Sequence, residues 1–370
     1  MNILPLSGWI NDHHHPLVIA GPCSAESEDQ VMKTARQLAE IPGIRIFRSG
    51  IWKPRTRPKS FEGVGVEGLQ WLKRVKQETG MLTAVEVASP QHIDLALKHG
   101  VDVLWIGART VVNPFSLQDL AASLKGVDLP VLVKNPVNPD LALWLGALER
   151  IHLSGVRRLA AIHRGFYFFE KSPFRNAPMW EIPIELKRLA PEVPLICDPS
   201  HISGGRELLA DISQKALDLE YDGLMIESHI DPNRALTDSA QQIRPADLRT
   251  MLDNLVIRKE RGGVQFETKL EELRSEIDKV DAEMIRLLAE RMRIVDEIGD
   301  YKRDHNITIL QLKRWSNIVR DRLSAGIDTG LNREFLQKLF EIVHNESIQR
   351  QTEILNRKRN RPPENYEKSK

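Results

Sequence analysis

The 370-residue sequence has few cysteines, almost no net charge and no long apolar segment. Its two cysteines, Cys23 and Cys197, cannot build a disulfide framework, and we expect both to be reduced. A net charge of +1 creates no general field that would attract nucleic acid. No segment approaches the roughly 18 apolar residues of a membrane span, and the first residues lack a signal-peptide pattern. These absences argue against membrane, secreted and nucleic-acid-binding proteins, and we expect a cytoplasmic location.

Short apolar segments rich in β-branched residues recur eight times in the first 230 residues. They are residues 17–21, 44–48, 82–87, 101–106, 130–134, 157–162, 193–198 and 222–227. Segments with helical periodicity, such as residues 29–41, separate them. Eight strands that alternate with helices predict an α/β fold, a closed (β/α)8 TIM barrel over residues 1–260. In such a barrel the chemistry lies at the carboxyl ends of the strands.

The pattern changes after about residue 255. The predicted segments are a charged linker at 261–267, an all-α domain at 268–356 and a disordered basic tail at 357–370. Apolar residues at helical spacing between Leu273 and Val295 predict one long amphipathic helix, followed by helices near residues 311–326 and 332–355. Because a three-helix domain of this size cannot bury so long a helix alone, we expect a homodimer through this domain.

Four potential metal ligands lie at strand ends or in the loops that follow. They are Cys23, His201, Glu227 and Asp238. Each residue alone is better explained as structural, but the first, seventh and eighth strands are neighbours in a closed barrel. Together these residues predict one site with sulfur, nitrogen and oxygen ligands, which suits one divalent ion of the Mn, Fe, Co or Zn class. Cys197 is predicted to be a core residue.

A second group of candidates is cationic and falls at or after the ends of strands two, four, five and six. Its members are Arg48, Lys53, Arg55, Arg109, Lys134 and Arg164. Six cations at the mouth of one barrel predict two phosphorylated substrates, one of which also carries a carboxylate. For two carboxylates at strand ends, Glu86 and Asp198, a structural role and the positioning of substrate or water both remain open.

These residues lie in segments that resemble a known family. AGPCSAES, FRSGIWKPRTRP, IGAR, LVK, HRG, DPSHISGG and DGLMIESHIDPNRALTDSAQQI are similar to the motifs of 3-deoxy-D-arabino-heptulosonate 7-phosphate (DAHP) synthases, in the subtype related to 3-deoxy-octulosonate 8-phosphate synthases. The resemblance covers residues 15–250 and implies condensation of phosphoenolpyruvate with erythrose 4-phosphate. The segment KPRT favours this four-carbon aldehyde over arabinose 5-phosphate, and Cys23 favours a metal-dependent form.

The resemblance also implies a role for each candidate residue of the barrel. The metal ligands are Cys23, His201, Glu227 and Asp238, the residues that hold phosphoenolpyruvate are Arg48, Lys53, Arg109, Lys134 and Arg164, and those that hold erythrose 4-phosphate are Arg55 and Thr56. Lys53 is the candidate proton carrier. Asp198 is a candidate for holding substrate hydroxyls or the attacking water.

Residues 273–302 resemble the first helix of the all-helical chorismate mutases, which convert chorismate to prephenate without a metal. The catalytic residues that this resemblance implies are Arg274, Arg291, Lys302 and Gln351, and the further substrate-binding residues are Arg314 and Ser347. Arg suits the two carboxylates of chorismate, and Lys with Gln can donate hydrogen bonds to its ether oxygen.

Two positions depart from the mutase pattern. Trp315 stands where an acidic residue usually binds the substrate hydroxyl, and Gln311 replaces a nearby Asp. The first hypothesis is a bifunctional enzyme. The alternative is a DAHP synthase whose helical domain is a non-catalytic dimerisation module that senses chorismate or prephenate. Prephenate is the expected effector in either case.

Overall fold

The computed structural model describes residues 1–9, 15–53, 61–258, 263–309 and 321–356. The chain forms two compact units, Met1–Glu260 and Arg261–Lys370. Within the described ranges, no helix combines the length and the apolar character of a membrane span.

The first unit is a closed barrel of eight parallel strands in sequence order, in which β8 pairs with β1. The strands are β1 Leu17–Gly21, β2 Ile44–Arg48, β3 Leu82–Val87, β4 Val103–Ile106, β5 Val131–Lys134, β6 Leu159–His163, β7 Leu195–Cys197 and β8 Gly223–Glu227. The predicted (β/α)8 barrel is confirmed. β4 begins two residues later than predicted, because the Val101 amide donates to the Ala96 carbonyl at the end of the preceding helix and not to a neighbouring strand.

Helices alternate with these strands. They are α1 Glu28–Ala39, α2 Val66–Thr79, α3 Pro90–Lys98, α4 Ala108–Val111, α5 Pro114–Ser123, α6 Leu141–Leu153, α7 Glu181–Leu189, α8 Pro199–Ser203, α9 Leu209–Asp218 and α10 Pro245–Asp253, with 3-10 turns at Leu6–Gly8 and Pro232–Arg234. Several begin at a residue whose side-chain oxygen accepts an amide hydrogen of the first turn. Ser27, Ser89, Asn113 and Asp140 do this for α1, α3, α5 and α6.

Alternation along the strands determines which residues face the inside of the barrel. Apolar side chains fill the interior, among them Ile46, Leu132 and Met225. The residues two positions further along these strands are Arg48, Lys134 and Glu227, and all three are buried. The same periodicity that builds the apolar interior therefore places two cations and a carboxylate at its carboxyl end.

The second unit is helical in all its described elements. α11 spans Val264–Asp304, which is 41 residues, or about 60 Å at 1.5 Å per residue. Residues 321–328 are also helical (α12), and α13 spans Arg333–Asn356. α11 begins inside the segment predicted as a linker, because no helix-breaking residue follows Gly263. The first part of the predicted second helix lies outside the described residues.

The long helix is buried along only part of its length. Its second half packs against α13, and Met292 and Val295 are buried there. Leu273, Ile277 and Val280, which continue the apolar stripe in its first half, are exposed.

A buried histidine closes the carboxyl end of β6. The Tyr221 hydroxyl donates to His163 Nδ1 at 2.9 Å, and His163 Nε2 donates to the Pro178 carbonyl at 2.7 Å. Trp180 packs edge-on to the imidazole with ring centroids 5.2 Å apart. Burial lowers the pKa of His163 to about 3 from 6.5, so the ring is neutral. This hydrogen-bond pattern fixes the tautomer that carries its proton on Nε2.

We predict that His163→Gln reduces the acid sensitivity of the barrel. In the pH range between the folded and the unfolded pKa of His163, the unfolded chain binds one more proton, so the free energy of unfolding falls as pH falls. The amide keeps a donor and an acceptor but does not titrate. Between about pH 6 and pH 4, the wild type should lose about 1.4 kcal/mol per pH unit more than the variant. Urea unfolding followed by tryptophan fluorescence measures this, and equal slopes for the two proteins contradict it.

Candidate functional site

Three of the four predicted metal ligands meet at the carboxyl end of the barrel. The ligand atoms of Cys23, Glu227 and Asp238 all lie within 4.8 Å of one another. The Cys23 thiol donates to Asp238 Oδ2 at 3.3 Å. Cys23 follows β1, Glu227 ends β8, and Asp238 lies in the loop after β8 with a left-handed φ of 47°. The closed barrel, which pairs β1 with β8, brings these distant residues together.

The fourth predicted ligand, His201, lies beside this group. Its Nε2 is 3.8 Å from Glu227 Oε1. Its Nδ1 donates to Asp198, whose two oxygens lie 3.0 and 2.8 Å away. A carboxylate that holds Nδ1 in this way leaves the Nε2 lone pair available, as is usual for metal-binding histidines. The geometry therefore gives Asp198 a positioning role, and the same carboxylate also caps α8.

Burial leaves one oxygen of this group without a hydrogen-bond partner among the described residues. This oxygen is Oε1 of Glu227, which is fully buried. Burial and the Glu227 carboxylate raise the pKa of the Cys23 thiol to about 12. Burial acts against ionisation of Asp238, but the Arg175 guanidinium and His201 lower the pKa of Asp238 to about 2. A buried, unsatisfied carboxylate oxygen beside a thiol and a second carboxylate fits a divalent ion with mixed ligands.

Glycine permits the close strand packing behind this group. Gly21, the last residue of β1, has φ 152°, and a Cβ atom there would lie 2.0 Å from the Arg48 carbonyl oxygen. Any larger residue would therefore push β1 away from β2 and displace the loop that carries Cys23.

A cationic group surrounds the predicted metal ligands. Arg48 is only 1% exposed and lies over the Trp105 ring, with its Nη2 3.4 Å from Glu227 Oε1. Its Nε and Nη1 have no hydrogen-bond partner within the described part of the chain. Lys134 donates to Asp198 Oδ2 at 2.8 Å. A buried guanidinium with unused donors indicates a site for an anion.

Two further arginines extend this group. Arg164 donates from Nη1 to Asn176 Oδ1 at 2.8 Å, whereas Arg109 is exposed on α4. Burial lowers the pKa of Arg164 to about 10, and the neighbouring charges of Arg175 and Arg109 contribute to this decrease against the opposing effect of Asp198. Cations that repel one another in a partly buried site favour the binding of an anion.

Lys53 is the member of the cationic group that contacts the Cys23 thiol. Its Nζ lies 3.3 Å from Cys23 Sγ. Lys53 also lines a cavity of about 240 Å³ together with Trp52, Glu62, Glu86, Ala88 and His92. Glu86 accepts from Trp105 Nε1 at 3.2 Å, so it has a structural contact and also faces the cavity. Arg55 and Thr56, the predicted aldehyde-phosphate ligands, lie outside the described residues. Cys197 is buried in the core, as predicted.

The helical unit brings together three of its predicted site residues. Arg291 Nη1 donates to Ser347 Oγ at 2.7 Å, and Gln351 follows Ser347 by one turn of α13. Gln351 is buried, and its Oε1 has no partner in the described ranges. Lys302 Nζ donates to the Ile309 carbonyl at 2.6 Å.

Arg274 does not join this group. It precedes Arg291 by 17 residues on α11, which corresponds to about 26 Å along the helix, and its side chain is exposed. Arg314 and the unusual positions Gln311 and Trp315 lie outside the described residues. One cation was not predicted, namely Arg322, which lies over the Phe340 ring and lowers the pKa of Arg291, although burial is the larger cause.

The barrel site also contains residues that the sequence analysis missed. Arg175 and Gln241 contact the predicted metal ligands Asp238 and Glu227, and Gln242 accepts from the Cys23 amide at 2.9 Å. Gln241 lies three residues after Asp238, within one turn of the chain, and this proximity could have identified it as a site residue. Arg175 had no comparable signal, because its loop is far from the other ligands in sequence.

Comparisons with known proteins agree with this division of the chain. Residues 7–261 match the model of the DAHP synthetase I family, and residues 273–352 match the model of chorismate mutase type II. The phospho-2-dehydro-3-deoxyheptonate aldolase of Thermotoga maritima is 33% identical over 226 residues, which cover 61% of this chain and 64% of that protein. A 2-dehydro-3-deoxyphosphooctonate aldolase of Synechococcus is 28% identical over 65% of this chain and 88% of its own length.

A solved structure supports the same assignment. The crystal structure of the Thermotoga maritima DAHP synthase has a TM-score of 0.57 and 30% sequence identity, and the match covers 64% of this chain and 67% of that one. The chain therefore belongs to the DAHP synthetase I family, and it carries a chorismate mutase type II domain after the barrel.

Proposed function

We propose that the barrel condenses phosphoenolpyruvate with erythrose 4-phosphate and water to give DAHP and phosphate, and that the helical domain rearranges chorismate to prephenate. Both reactions belong to the shikimate pathway of aromatic amino-acid biosynthesis. One observation carries the first part of this proposal. The buried Arg48 has two unused donors, and the adjacent Glu227 has an unused acceptor. Such a site is complete only when it holds both an anion and a cation.

Cys23, His201, Glu227 and Asp238 would hold the cation. Their mixed donors favour a divalent ion of the Mn, Fe, Co or Zn class over Mg or Ca, which prefer oxygen alone. When bound, such an ion supplies a Lewis acid for the aldehyde carbonyl of erythrose 4-phosphate.

The cationic side chains would bind phosphoenolpyruvate through its phosphate and carboxylate. Arg48 offers two unpaired donors from a buried position, and Arg164 and Arg109 contribute charge at the mouth of the barrel. Lys134, held by Asp198, presents a point charge between this group and His201. Fixing both substrates in one site converts their encounter into a reaction within a single complex.

In the proposed reaction, C3 of phosphoenolpyruvate forms a bond to the aldehyde carbon of erythrose 4-phosphate. Lys53, whose Nζ lies beside the Cys23 thiol, would give its proton to the aldehyde oxygen. Water then adds at C2 and loses one proton, which restores Lys53. The bond from C2 to the phosphate oxygen breaks, and phosphate leaves with the remaining hydroxyl proton as the C2 ketone forms. Asp198, which holds both Lys134 and His201, positions these groups and is not itself consumed.

The mutase reaction needs no nucleophile or metal, because chorismate rearranges within itself. Arg291, held by Ser347, would bind a substrate carboxylate. Lys302 and Gln351 would donate hydrogen bonds to the ether oxygen as its bond to carbon breaks. Prephenate carries the same two carboxylates as chorismate and would occupy the same cations, so we also propose it as the effector.

The proposed mutase site is completed by a second copy of the chain. Arg274 is about 26 Å from Arg291 along one helix and cannot reach the same substrate. The exposed apolar residues around it, including Ile277 and Val280, would be covered in a homodimer. A dimer of this kind would bring Arg274 of one copy to Arg291 of the other.

We predict that chelation separates the two activities. Treatment with a chelator should abolish DAHP formation, Mn²⁺ or Co²⁺ should restore it, and chorismate turnover should be unchanged, because the one cluster of three potential metal ligands among the residues described lies in the barrel. Cys23→Ala should behave like the chelated enzyme. Cys197→Ala, which removes the other buried thiol, is the matched control and should retain both activities.

Phosphate release, measured with each aldehyde in turn, checks this result. Erythrose 4-phosphate should be consumed and arabinose 5-phosphate should not. Full condensation in the chelated enzyme would contradict the metal site, and a preference for arabinose 5-phosphate would indicate octulosonate 8-phosphate synthesis instead.

We predict that two inactive variants complement each other as mutases. Arg274→Ala and Arg291→Ala should each lose chorismate turnover, because each removes a substrate cation. After dissociation and reassociation of an equal mixture, half of the dimers pair the two variants, and each has one intact site. The mixture should recover about a quarter of the wild-type rate, since the intact site combines residues of two copies.

Arg286→Ala is the matched control on the same helix. Arg286 is exposed and pairs with Glu283 and Glu290, so its loss should leave turnover unchanged. If the mixed variants show no recovery although they exchange subunits, the shared site is refuted. If Arg291→Ala retains the wild-type rate, Arg291 is not a substrate cation. If the wild type itself shows no chorismate turnover while the barrel still condenses its substrates, the helical domain is better explained as an effector-binding module.

A further inference from the structure

One guanidinium group connects two of the proposed metal ligands. Arg175, in the loop between β6 and α7, donates from Nη1 to Asp238 Oδ1 at 3.0 Å and to Gln241 Oε1 at 2.6 Å. Gln241 in turn donates from Nε2 to Glu227 Oε2 at 2.7 Å. Arg175 therefore reaches Asp238 directly and Glu227 through a single buried amide.

The chemistry of the three groups allows only one orientation of that amide. A guanidinium can only donate, and an ionised carboxylate can only accept. The Gln241 oxygen must therefore face Arg175, and its nitrogen must face Glu227. This arrangement engages Glu227 Oε2 and leaves Oε1, the oxygen without a hydrogen-bond partner, directed to His201 and Arg48.

The backbone of Arg175 is fixed to the loop that carries the remaining ligand. Its amide donates to the Ile202 and Ser203 carbonyls at 3.0 and 3.2 Å, directly after His201. Gly204 makes room for this contact, because a Cβ atom at its left-handed position would lie 2.4 Å from Arg175 Cβ. Arg175 thus links the loop that carries His201 to both acidic ligands, Asp238 and Glu227.

We propose that Arg175 and Gln241 are positioning residues that determine which oxygen of Glu227 is presented to the divalent ion, and that they thereby set the affinity of the site. This inference rests on the metal site proposed above. Neither residue is among the proposed ligands of the ion or of the substrates. Their contribution is to hold Glu227 and Asp238 in a ligand arrangement that the two acidic residues, buried beside each other, would not keep alone.

Titration of the full-length protein with Co²⁺ tests the inference independently of activity. Binding to Cys23 should produce a thiolate-to-cobalt absorption band, whose growth gives the dissociation constant. Gln241→Leu and Arg175→Met should each weaken Co²⁺ binding by about 10- to 100-fold and alter the cobalt spectrum. The loss of affinity in the double variant should be smaller than the product of the two single losses, because Arg175 and Gln241 support Glu227 through one chain of contacts.

Gln214→Leu is the matched control, because it removes the hydrogen bonds of a glutamine on α9 to the Asp218 carboxylate and to the Val256 backbone, and none of these partners is a proposed metal ligand. It should bind Co²⁺ like the wild type. Arg175 is 46% exposed, so Arg175→Met remains informative even if Gln241→Leu does not fold. A wild type without the cobalt band would refute the metal site and this inference together. A wild type that binds Co²⁺, with affinities of both variants within about twofold of it, would overturn the inference alone.

Discussion

The buried contact between Arg48 and Glu227 is the constraint on which the barrel site depends. Two opposite charges lie 3.4 Å apart at the end of an otherwise apolar interior, and neither has all its hydrogen bonds. Burying such a pair is unfavourable unless further partners complete it. The pair therefore contributes little to the stability of the fold. It is well suited to a site in which Arg48 binds an anion and Glu227 binds a cation. The rest of the first unit holds it in place.

The support comes from the geometry of the barrel. The two-residue period of β2 and β8 turns Arg48 and Glu227 inward, one step beyond the apolar layer. Closure of the barrel between β1 and β8 brings Cys23 to Glu227. Asp198 then holds Lys134 and His201 at once. All of these contacts except the one between Asp198 and His201 join residues that are distant in sequence, so the site forms only when the barrel is closed.

Much of this could be predicted from the sequence, because strand periodicity and strand order are local signals. The eight strands, the (β/α)8 barrel and the meeting of Cys23, Glu227 and Asp238 followed from them. Arg175 could not be predicted, because its contacts depend on the conformation of a long loop. The resemblance to chorismate mutases also assigned Arg274 and Arg291 to one catalytic group, although the two residues are widely separated along one helix. The spacing of residues along a helix predicts which of them share a face, but it does not determine whether all of them contribute to the same site.

The binding of phosphoenolpyruvate by full-length, metal-loaded Arg48→Gln is the most direct test of the central claim. Calorimetry should show a dissociation constant at least about 30-fold above that of the wild type, because the variant lacks the charged donors of the buried guanidinium. Arg45→Gln, an exposed position three residues earlier on β2, is the matched control and should bind normally. Unchanged affinity in folded Arg48→Gln would contradict the claim that this buried, incompletely paired charge is the anion site of the barrel.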